Sequence, residues 1–386
     1  MLSFGKGLSR CMGLAPALLV VLLLAACGTE QPQTTFSTQG NNAREILSLY
    51  NIIFYVAIGV FVVVEGILIY SAFRYRRRPE DGIPLQIHGN QPIEIIWTII
   101  PAIIILFIAT MTFRTQSILV AETTDPLRVT VVGHQWWWEF QYPDQGVVTA
   151  NELHIPANRD IEFTLQSADV IHSFWFPRLS GKTDAIPGHS NRLTFRADEV
   201  TDRTLIRGQC AEFCGGTHAQ MGMYAVVEPA AAFEQWIEQQ RAEAALPAGV
   251  TQTVEATAPV EESPIATTEA ATPIPDVDVT QPTPAVQPAS LEGRGYELFR
   301  TKACTGCHAI AGYPEAIGNI GPDLTHVNSR EHIVAGWLEN SPDNMRRWLR
   351  DPNEVKPGNI MGTAIKAGTL TEDEIEALTA YMESLK

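Results

Sequence analysis

Positive charge is scarce in this sequence, and so is cysteine. Lysine and arginine number 27 against 43 aspartate and glutamate, which gives a formal net charge of −16 over 386 residues. Proteins that bind nucleic acid need a basic surface, so this balance argues against such a partner. The six cysteines could form disulfides, but the spacing of five of them indicates other uses. The length suggests two or three domains.

Two of the few basic residues, Lys6 and Arg10, precede the apolar stretch MGLAPALLVVLLLAAC. This pattern predicts a signal peptide over residues 1–26. Its last four letters, LAAC, resemble the lipobox of bacterial lipoproteins, in which the cysteine, here Cys27, is acylated and becomes the new N-terminus. The alternative is an ordinary signal peptide followed by an incidental Cys27. In the lipoprotein interpretation, Cys11 is removed with the signal.

Long apolar runs follow the signal. Residues 46–73 and 95–113 are each apolar for long enough to cross a bilayer, which takes about 20 residues. The basic run RYRRR follows the first of them, so by the positive-inside rule the loop 74–93 is cytoplasmic. We therefore expect an external segment 27–45, a membrane hairpin 46–114, and a large C-terminal part on the outer face of a bacterial plasma membrane.

Residues 115–246 contain short segments rich in Val, Thr, Phe and Trp, separated by Pro, Gly, Asn and Asp. These segments are LRVTVVGHQWWWEFQY, ELHIPANRDIEFTLQS, NRLTFRA and MYAVVEP. Several short strands at this spacing predict a β-sandwich, and such folds can hold a metal in the loops at one end.

The stretch CAEFCGGTHAQM concentrates potential metal ligands. Thiolate, imidazole and thioether together favour copper. The two thiolates, Cys210 and Cys214, can bridge two metals, each of which then needs one histidine and one weaker ligand. His218 and Met221 belong to the same stretch. The second histidine must come from elsewhere, and His172 in VIHSFWFP is the best candidate.

Two structural alternatives remain open for this stretch. Cys210 and Cys214 could form a disulfide in an oxidising compartment. They could also join His172 and His218 in a zinc site. Neither alternative uses Met221, whose thioether is a poor zinc ligand and a good copper ligand.

Three other histidines of this region are weaker candidates for a ligand. His134 follows a strand and is expected to be structural, whereas His154 precedes a proline at a strand end and is expected to be exposed. His189 is expected to lie in a turn.

The pattern C-x-E-x-C-G-x-x-H-x-x-M resembles the CuA loop of cytochrome c oxidase subunit II. The segments GHQWWWEF, HSFWFP, KTDAIPG and EIIWTIIPAIII also resemble that family, and the resemblance covers roughly residues 40–230. It implies a transmembrane α-helical hairpin and an all-β cupredoxin-like Greek-key sandwich that holds a dinuclear copper centre, CuA. The side-chain ligands would be His172, Cys210, Cys214, His218 and Met221.

The same resemblance implies roles for three further residues. Glu212 would give copper its backbone carbonyl, and its carboxylate would bind a magnesium ion shared with subunit I. Trp136 matches the aromatic residue through which electrons reach the copper. Glu94 matches a carboxylate at the mouth of a proton pathway into subunit I.

Residues 247–290 contain no lysine or arginine and are rich in Pro, Thr, Ala, Val and Glu, which predicts a disordered tether. Beyond the tether, Cys304, Cys307 and His308 form the motif C-x-x-C-H. This motif is the attachment signature of c-type heme, with the histidine as an axial ligand. A redox disulfide or half of a zinc site would not need the adjacent histidine.

Residues 291–386 resemble a class I cytochrome c, an all-α fold in which the carbonyl of Pro322 would back the axial histidine. The segments LEGRGYELFRTKA, SPDNMRRWLRDP and TLTEDEIEALTAYMESLK predict helices, the second capped by Ser or Asp and the third by Thr371. The chain is therefore expected to be multidomain.

The second axial ligand is predicted to be Met361, which lies in the Pro/Gly-rich loop KPGNIMG. Met345 and Met382 fall within predicted helices, where core packing is expected. His326 and His332 are weaker competitors. Methionine ligation raises the heme potential.

The whole chain resembles oxidase subunits II that carry a fused cytochrome c. This implies an electron-transfer subunit that binds subunit I and other oxidase subunits. An external donor (a cytochrome, a small copper protein or an upstream complex) would reduce heme c, and electrons would continue through CuA to the subunit I heme. Oxygen reduction and proton translocation would occur in subunit I. The alternatives are a CuA subunit of a nitric oxide reductase and, in a different class, a membrane-tethered copper chaperone or sensor.

Overall fold

The computed structural model of the chain describes residues 31–77, 82–83, 86, 88–244, 247 and 290–386. The predicted signal peptide, Cys27 and the interior of the predicted tether lie outside the described residues. The chain forms two compact units. The first runs to Ala242 and also takes in the segments His332–Glu339 and Lys356–Ile360, and the second comprises Glu243–Glu331, Asn340–Val355 and Met361–Lys386.

Two apolar helices come first in the described part of the chain, α1 (Asn41–Arg74) and α2 (Gln91–Leu119). Both are long enough to cross a bilayer, and both extend beyond the predicted spans. Most of their large apolar side chains are exposed, as expected of surfaces that face lipid. Helix α2 begins at a defined point because the Asn90 side chain accepts a hydrogen bond from the Ile93 amide and Pro92 occupies the first turn.

The predicted sandwich is present, and ten strands of the described residues form its two sheets. These strands are β1 (Leu127–His134), β2 (Trp137–Tyr142), β3 (Val147–Ala150), β4 (Glu152–Pro156), β5 (Asp160–Ser167), β6 (His172–Trp175), β7 (Thr183–Ala185), β8 (Asn191–Arg196), β9 (Thr204–Cys210) and β10 (Gly222–Glu228). One sheet has the order β3-β2-β1-β5-β8, and the other has the order β4-β10-β9-β6-β7.

Aromatic side chains fill the space between the two sheets. Trp138, Phe140, Phe163 and Phe174 are fully buried, and the rings of Trp138 and Phe174 meet edge to face with centroids 5.6 Å apart. Burying each such side chain stabilises the fold by roughly 1.5–3 kcal/mol. The core therefore gives a rigid frame to the loops at the ends of the strands.

His154 was expected to be exposed, and that expectation is wrong. It lies in β4 and is buried under Trp236 of helix α3 (Ala230–Gln240), with the two rings stacked at a centroid distance of 4.0 Å. Its Nδ1 lies 3.1 Å from the Glu228 carboxylate. Burial lowers the pKa of His154, although the hydrogen bond to Glu228 opposes this effect. The sequence around His154 gives no sign that a later helix folds back over it.

The first unit also contains a hairpin of two short strands, β11 (His332–Ile333) and β12 (Leu338–Glu339). The His332 amide donates to the Glu152 carboxylate at 2.7 Å, and the imidazole stacks on Tyr224 with ring centroids 4.1 Å apart. Residues predicted to belong to the cytochrome region therefore contribute to the first compact unit.

The second unit is helical, as predicted. Its helices are α4 (Leu291–Thr301), α5 (Pro342–Arg350), α6 (Pro352–Val355), α7 (Met361–Ala364) and α8 (Glu372–Ser384). Ser341 and Thr371 cap α5 and α8 through their side chains, and Thr371 forms a capping box with Glu374. Helices α4 and α8 pack closely at Gly295, where a Cβ would lie 2.1 Å from the Ala377 carbonyl oxygen.

Acidification should destabilise the sandwich through His154. Because the folded pKa lies below the ordinary value of 6.5, the unfolded chain binds more protons as the pH falls below that value. This contribution to stability is therefore present above about pH 6.5 and is lost below it. The thermal unfolding temperature of the full chain should fall between about pH 7.5 and 5.5, and His154→Phe should make that fall smaller.

The exposed His189 provides a matched control, since His189→Phe should leave the pH dependence of the unfolding temperature unchanged. An identical slope in the parent chain and in His154→Phe would contradict the role given to His154.

Candidate metal centres

The predicted ligand stretch forms the loop between two adjacent antiparallel strands. Strand β9 ends at Cys210, a 3-10 turn spans His218–Gln220, and β10 begins directly after Met221. The Cys210 amide donates to the Met221 carbonyl at 2.9 Å, which closes the loop at its base. Strand β6 pairs with β9 so that Phe174 lies opposite Cys210, and this pairing brings His172 beside the loop.

Two buried thiols form the centre of this loop. The Sγ atoms of Cys210 and Cys214 lie 3.8 Å apart and both cysteines are free. A disulfide requires about 2.05 Å, so the disulfide alternative is not formed. The Nδ1 of His172 lies 3.9 Å from the Cys210 Sγ, and the His218 Nδ1 and Met221 Sδ lie 3.5 and 3.7 Å from the Cys214 Sγ.

A carboxylate fixes the orientation of His172. The His172 Nε2 lies 2.8 Å from the Asp169 Oδ1. Because a carboxylate only accepts, Nε2 carries the proton and Nδ1 is left to face Cys210 as a ligand. Asp169 also accepts from the Gln135 amide at 2.6 Å, which holds the carboxylate in place. Asp169 was not predicted from the sequence, although an acid three residues before a candidate ligand is a usable signal.

The backbone of Cys214 receives two further hydrogen bonds. Its carbonyl accepts from the Gln135 side chain at 2.7 Å and from the Trp136 indole Nε1 at 3.0 Å. Trp136 is half-buried and packs against the sandwich core. One hydrogen bond therefore separates the indole of Trp136 from a residue that carries one of the thiols.

Glu212 presents its two ends to different surroundings. Its backbone carbonyl lies 3.2 Å from the Cys210 Sγ, within the ligand cluster. Its side chain is exposed. The carbonyl is thus available inside the loop and the carboxylate outside it.

The two thiols differ in acidity because they share a hydrogen bond. The hydrogen bond between the two sulfur atoms lowers the pKa of Cys210 against the opposing effect of burial, and it raises the pKa of Cys214. For His172, burial disfavours the charged form, but the hydrogen bonds to Asp169 and Cys210 raise the pKa overall. Removing both thiol protons is favourable only when a cation takes their place.

These side chains fit a metal site. The ligand atoms of His172, Cys210 and Cys214 all lie within 4.8 Å of one another and all three residues are buried. Sulfur and imidazole donors suit zinc or copper, and the thioether of Met221 beside Cys214 favours copper. Two metals bridged by the thiolates would use every donor in the cluster.

The heme attachment motif begins on a 3-10 turn, Cys304–Gly306. Cys307 and His308 follow directly after this turn. Cys304 and Cys307 are free and partly exposed. The His308 Nδ1 donates to the Pro322 carbonyl at 2.8 Å, as the resemblance implied. Since a carbonyl only accepts, the neutral ring has its Nε2 lone pair available for a metal. Burial lowers the pKa of His308, which favours this neutral form.

Two glycines pack against the heme attachment motif so closely that no side chain would fit at either position. A Cβ on Gly321 would lie 2.4 Å from the His308 Cε1, and a Cβ on Gly318 would lie 2.5 Å from the Cys307 carbonyl carbon. The chain therefore closes tightly on one side of the motif. With two thiols and one oriented imidazole, these residues fit a covalently attached heme.

The candidates for the second axial ligand fall into two groups. Met345 and Met382 are buried within α5 and α8, as core residues. His326 bonds the carbonyl of the last residue, and His332 stacks on a tyrosine. Met361 is half-buried and is the first residue of the short helix α7, where an irregular loop was expected. Its role as a heme ligand stays a prediction.

Three further residues that the sequence analysis considered, Glu94, His134 and His189, lie outside the loop between β9 and β10. Glu94 is exposed in the first turn of α2, where its carboxylate accepts from the Asn90 amide at 3.1 Å. His134 stacks on Trp137 with ring centroids 4.1 Å apart, which fits a structural role. His189 is exposed and lies at the end of a turn, where its amide donates to the Ile186 carbonyl at 3.2 Å, as expected.

Three protein-family models match the chain. "Cytochrome C oxidase subunit II, transmembrane domain" matches residues 33–115, and "Cytochrome C oxidase subunit II, periplasmic domain" matches residues 145–229. "Cytochrome c" matches residues 293–386. The models follow in the order membrane hairpin, sandwich and heme domain, and the last two imply a copper centre and a heme.

Curated relatives match the chain over most of its length. Cytochrome c oxidase subunit 2 of Alkalihalophilus pseudofirmus is 32% identical over 378 residues, which cover 96% of each chain. The subunit of Bacillus subtilis is 32% identical and covers 95% of this chain and 96% of its own length. The subunit of Bacillus sp. strain PS3 is 36% identical and covers 81% of this chain and 80% of its own length. The similarity therefore extends through all the domains.

Replacing Gly133 by alanine should weaken copper binding. The new Cβ would lie 2.8 Å from the His172 Cδ2, so the imidazole would have to move relative to Cys210. Overpacking of this kind costs about 1–3 kcal/mol. After saturation with copper and desalting, the copper content per chain of Gly133→Ala should be well below that of the parent chain.

Gly216→Ala is the matched control on the ligand loop itself, because a Cβ there meets no atom within 4 Å. It should bind as much copper as the parent chain. Full copper content in Gly133→Ala would show that the His172 position does not matter.

Proposed function

Because the chain belongs to the cytochrome c oxidase subunit II family and carries a fused cytochrome c domain, we propose that it passes electrons from its own heme c to a copper pair and on to the heme of subunit I. As an oxidase subunit II, it is a membrane protein that associates with subunit I and has its copper and heme domains on the outer face. Oxygen reduction and proton translocation take place in subunit I, which this chain lacks.

The observation that best supports the proposal is the pair of free thiols 3.8 Å apart with donor atoms on both sides. A copper pair held by these two thiolates and their neighbouring donors would supply one-electron chemistry with little change in geometry. The strands of the sandwich keep the ligand loop rigid, which suits that role. The copper ligands are assigned to His172, Cys210, the Glu212 carbonyl, Cys214, His218 and Met221.

The heme domain would deliver the electrons. Cys304 and Cys307 would hold the heme covalently, and His308 and Met361 would be the side chains that bind its iron. The hydrogen bond from the His308 Nδ1 to the Pro322 carbonyl supports this assignment, because it orients the ring. Methionine as the second ligand raises the potential of the heme.

Trp136 is the proposed residue through which electrons reach the copper. Its indole donates to the carbonyl of the ligand residue Cys214 at 3.0 Å, which supplies a short bonded path to the site. The ring is also held by the sandwich core. A fixed ring and a short path both favour electron transfer.

Two carboxylates are assigned to the boundary with subunit I. The exposed side chain of Glu212 would contribute to a magnesium site shared with that subunit, while its carbonyl binds copper. Glu94, in the first turn of α2, would lie at the mouth of a proton pathway. Both assignments come from the resemblance, and their exposure on this chain supports a contact with a partner subunit.

The remaining proposals concern anchoring and supply of electrons. Cys27 would be acylated after removal of the signal, which would add a lipid anchor to the two helices in a bacterial plasma membrane. Residues 247–290 would tether the heme domain and raise its effective concentration at the copper site. The external donor would be a cytochrome, a small copper protein or an upstream respiratory complex.

Metal content tests the proposed function. The full-length chain should be produced in a host that matures c-type heme and purified in detergent with copper and zinc both supplied. We expect two copper ions and one iron per chain, because both sites are assembled from residues of this chain. In Cys210→Ser combined with Cys214→Ser, the copper should be lost and the iron retained.

One zinc and one iron in the parent chain would contradict the copper assignment, since the loop would then be a structural zinc site. Elemental analysis of the same preparation separates the two outcomes.

Replacement of Met361 by alanine should open one axial position of the heme iron. The reduced protein should then bind carbon monoxide stoichiometrically, as followed by the shift of the heme absorption band, whereas the parent should not. Met345→Ala is the control, because Met345 is buried in α5. Carbon monoxide binding by Met345→Ala and not by Met361→Ala would reverse the assignment.

A further inference from the structure

Lys356 has no role in the sites described above, yet it belongs to the same compact unit as the sandwich. Lys356 is only 4% exposed, and its Nζ donates a hydrogen bond to the backbone carbonyl of Trp136 at 2.7 Å. A lysine buried so deeply is uncommon, because removing an ammonium group from water is costly. We therefore ask which neighbouring groups interact with the buried ammonium group of Lys356.

Those surroundings lead to the proposed copper ligands. The Trp136 indole bonds the Cys214 carbonyl at 3.0 Å, so one residue connects the lysine to a residue of the ligand loop. A Cβ on Gly358 would lie 4.0 Å from the Thr217 methyl carbon, so the segment that carries Lys356 runs beside this loop. Burial lowers the pKa of Lys356 to about 7, because it disfavours the charged ammonium form. Lys356 is therefore connected to the ligand loop through Trp136.

We propose that Lys356 is a positioning residue of the copper site, which holds Trp136 against the ligand loop and raises the reduction potential of the copper pair. Addition of one electron to a copper pair held there would lower the positive charge of the site by one. A fixed cation nearby stabilises the reduced state relative to the oxidised state. Its effect is stronger in a buried setting than at the protein surface, because water screens it less. The inference rests on the proposed function and adds a residue that does not bind metal.

The test separates the charge of Lys356 from its packing. Lys356→Met keeps an unbranched apolar stem and removes the charge, whereas Lys356→Arg keeps the charge. The full-length chain, loaded with heme and copper in detergent, is titrated with reductant at about pH 6, below the pKa of about 7, so that the lysine is protonated. The electron paramagnetic resonance signal of the oxidised copper pair reports the fraction that remains oxidised.

In Lys356→Met, the ratio of reduced to oxidised copper at a fixed potential should fall roughly tenfold, the order expected of one nearby buried charge. In Lys356→Arg the ratio should stay close to that of the parent chain. Lys366→Met, which removes an exposed lysine, is the matched control and should not change it.

Copper content is measured on every variant before the titration. Full copper with an unchanged potential in Lys356→Met would overturn the inference while leaving the copper site intact, and so would an equal fall in Lys356→Met and Lys356→Arg. If Lys356→Met does not fold, Lys356→Gln is titrated with the same expectations. A parent chain that binds no copper would overturn the proposed function and this inference with it.

Discussion

Two buried sulfur atoms 3.8 Å apart are the constraint on which the arrangement of the ligand loop depends. They are not joined by a bond, and ionising both would leave two adjacent negative charges away from water. A cation placed among them removes that repulsion, so this loop makes physical sense as a metal site. The β9–β10 ladder at its base and the neighbouring strand β6 hold the donors in register. The aromatic core keeps those strands from shifting.

The proposed copper and heme sites differ in how far apart their donor residues lie in the sequence. The proposed copper donors come from separate elements, and His172 meets the ligand loop through the pairing of β6 with β9. Three of the four proposed heme-binding residues, Cys304, Cys307 and His308, are contiguous in the motif, and only Met361 comes from a distant segment. The heme motif therefore depends mainly on local sequence, whereas the copper loop depends on the strands that bring His172 beside it.

Much of this arrangement could be predicted because its signals are local. Four of the proposed copper donors lie on one loop, the heme motif is contiguous, and the caps at Ser341 and Thr371 act within a single turn. The contacts that the sequence did not predict are non-local. His154 is covered by a helix that follows the last strand, and Lys356 donates a hydrogen bond to Trp136, far away in the sequence. Periodicity and spacing carry no information about such contacts.

The charges around the copper loop act in opposite directions, and their balance bears on the function. Asp169 bonds the Nε2 of His172, which would make the imidazole a stronger donor and favour oxidised copper. Lys356 is buried and connected to the loop through Trp136, and by our proposal its positive charge would favour reduced copper. Neither residue is placed to bind metal or to transfer a proton to a substrate. A site that only moves electrons can have its potential adjusted by such fixed charges while its ligands, and therefore its small change of geometry, stay the same.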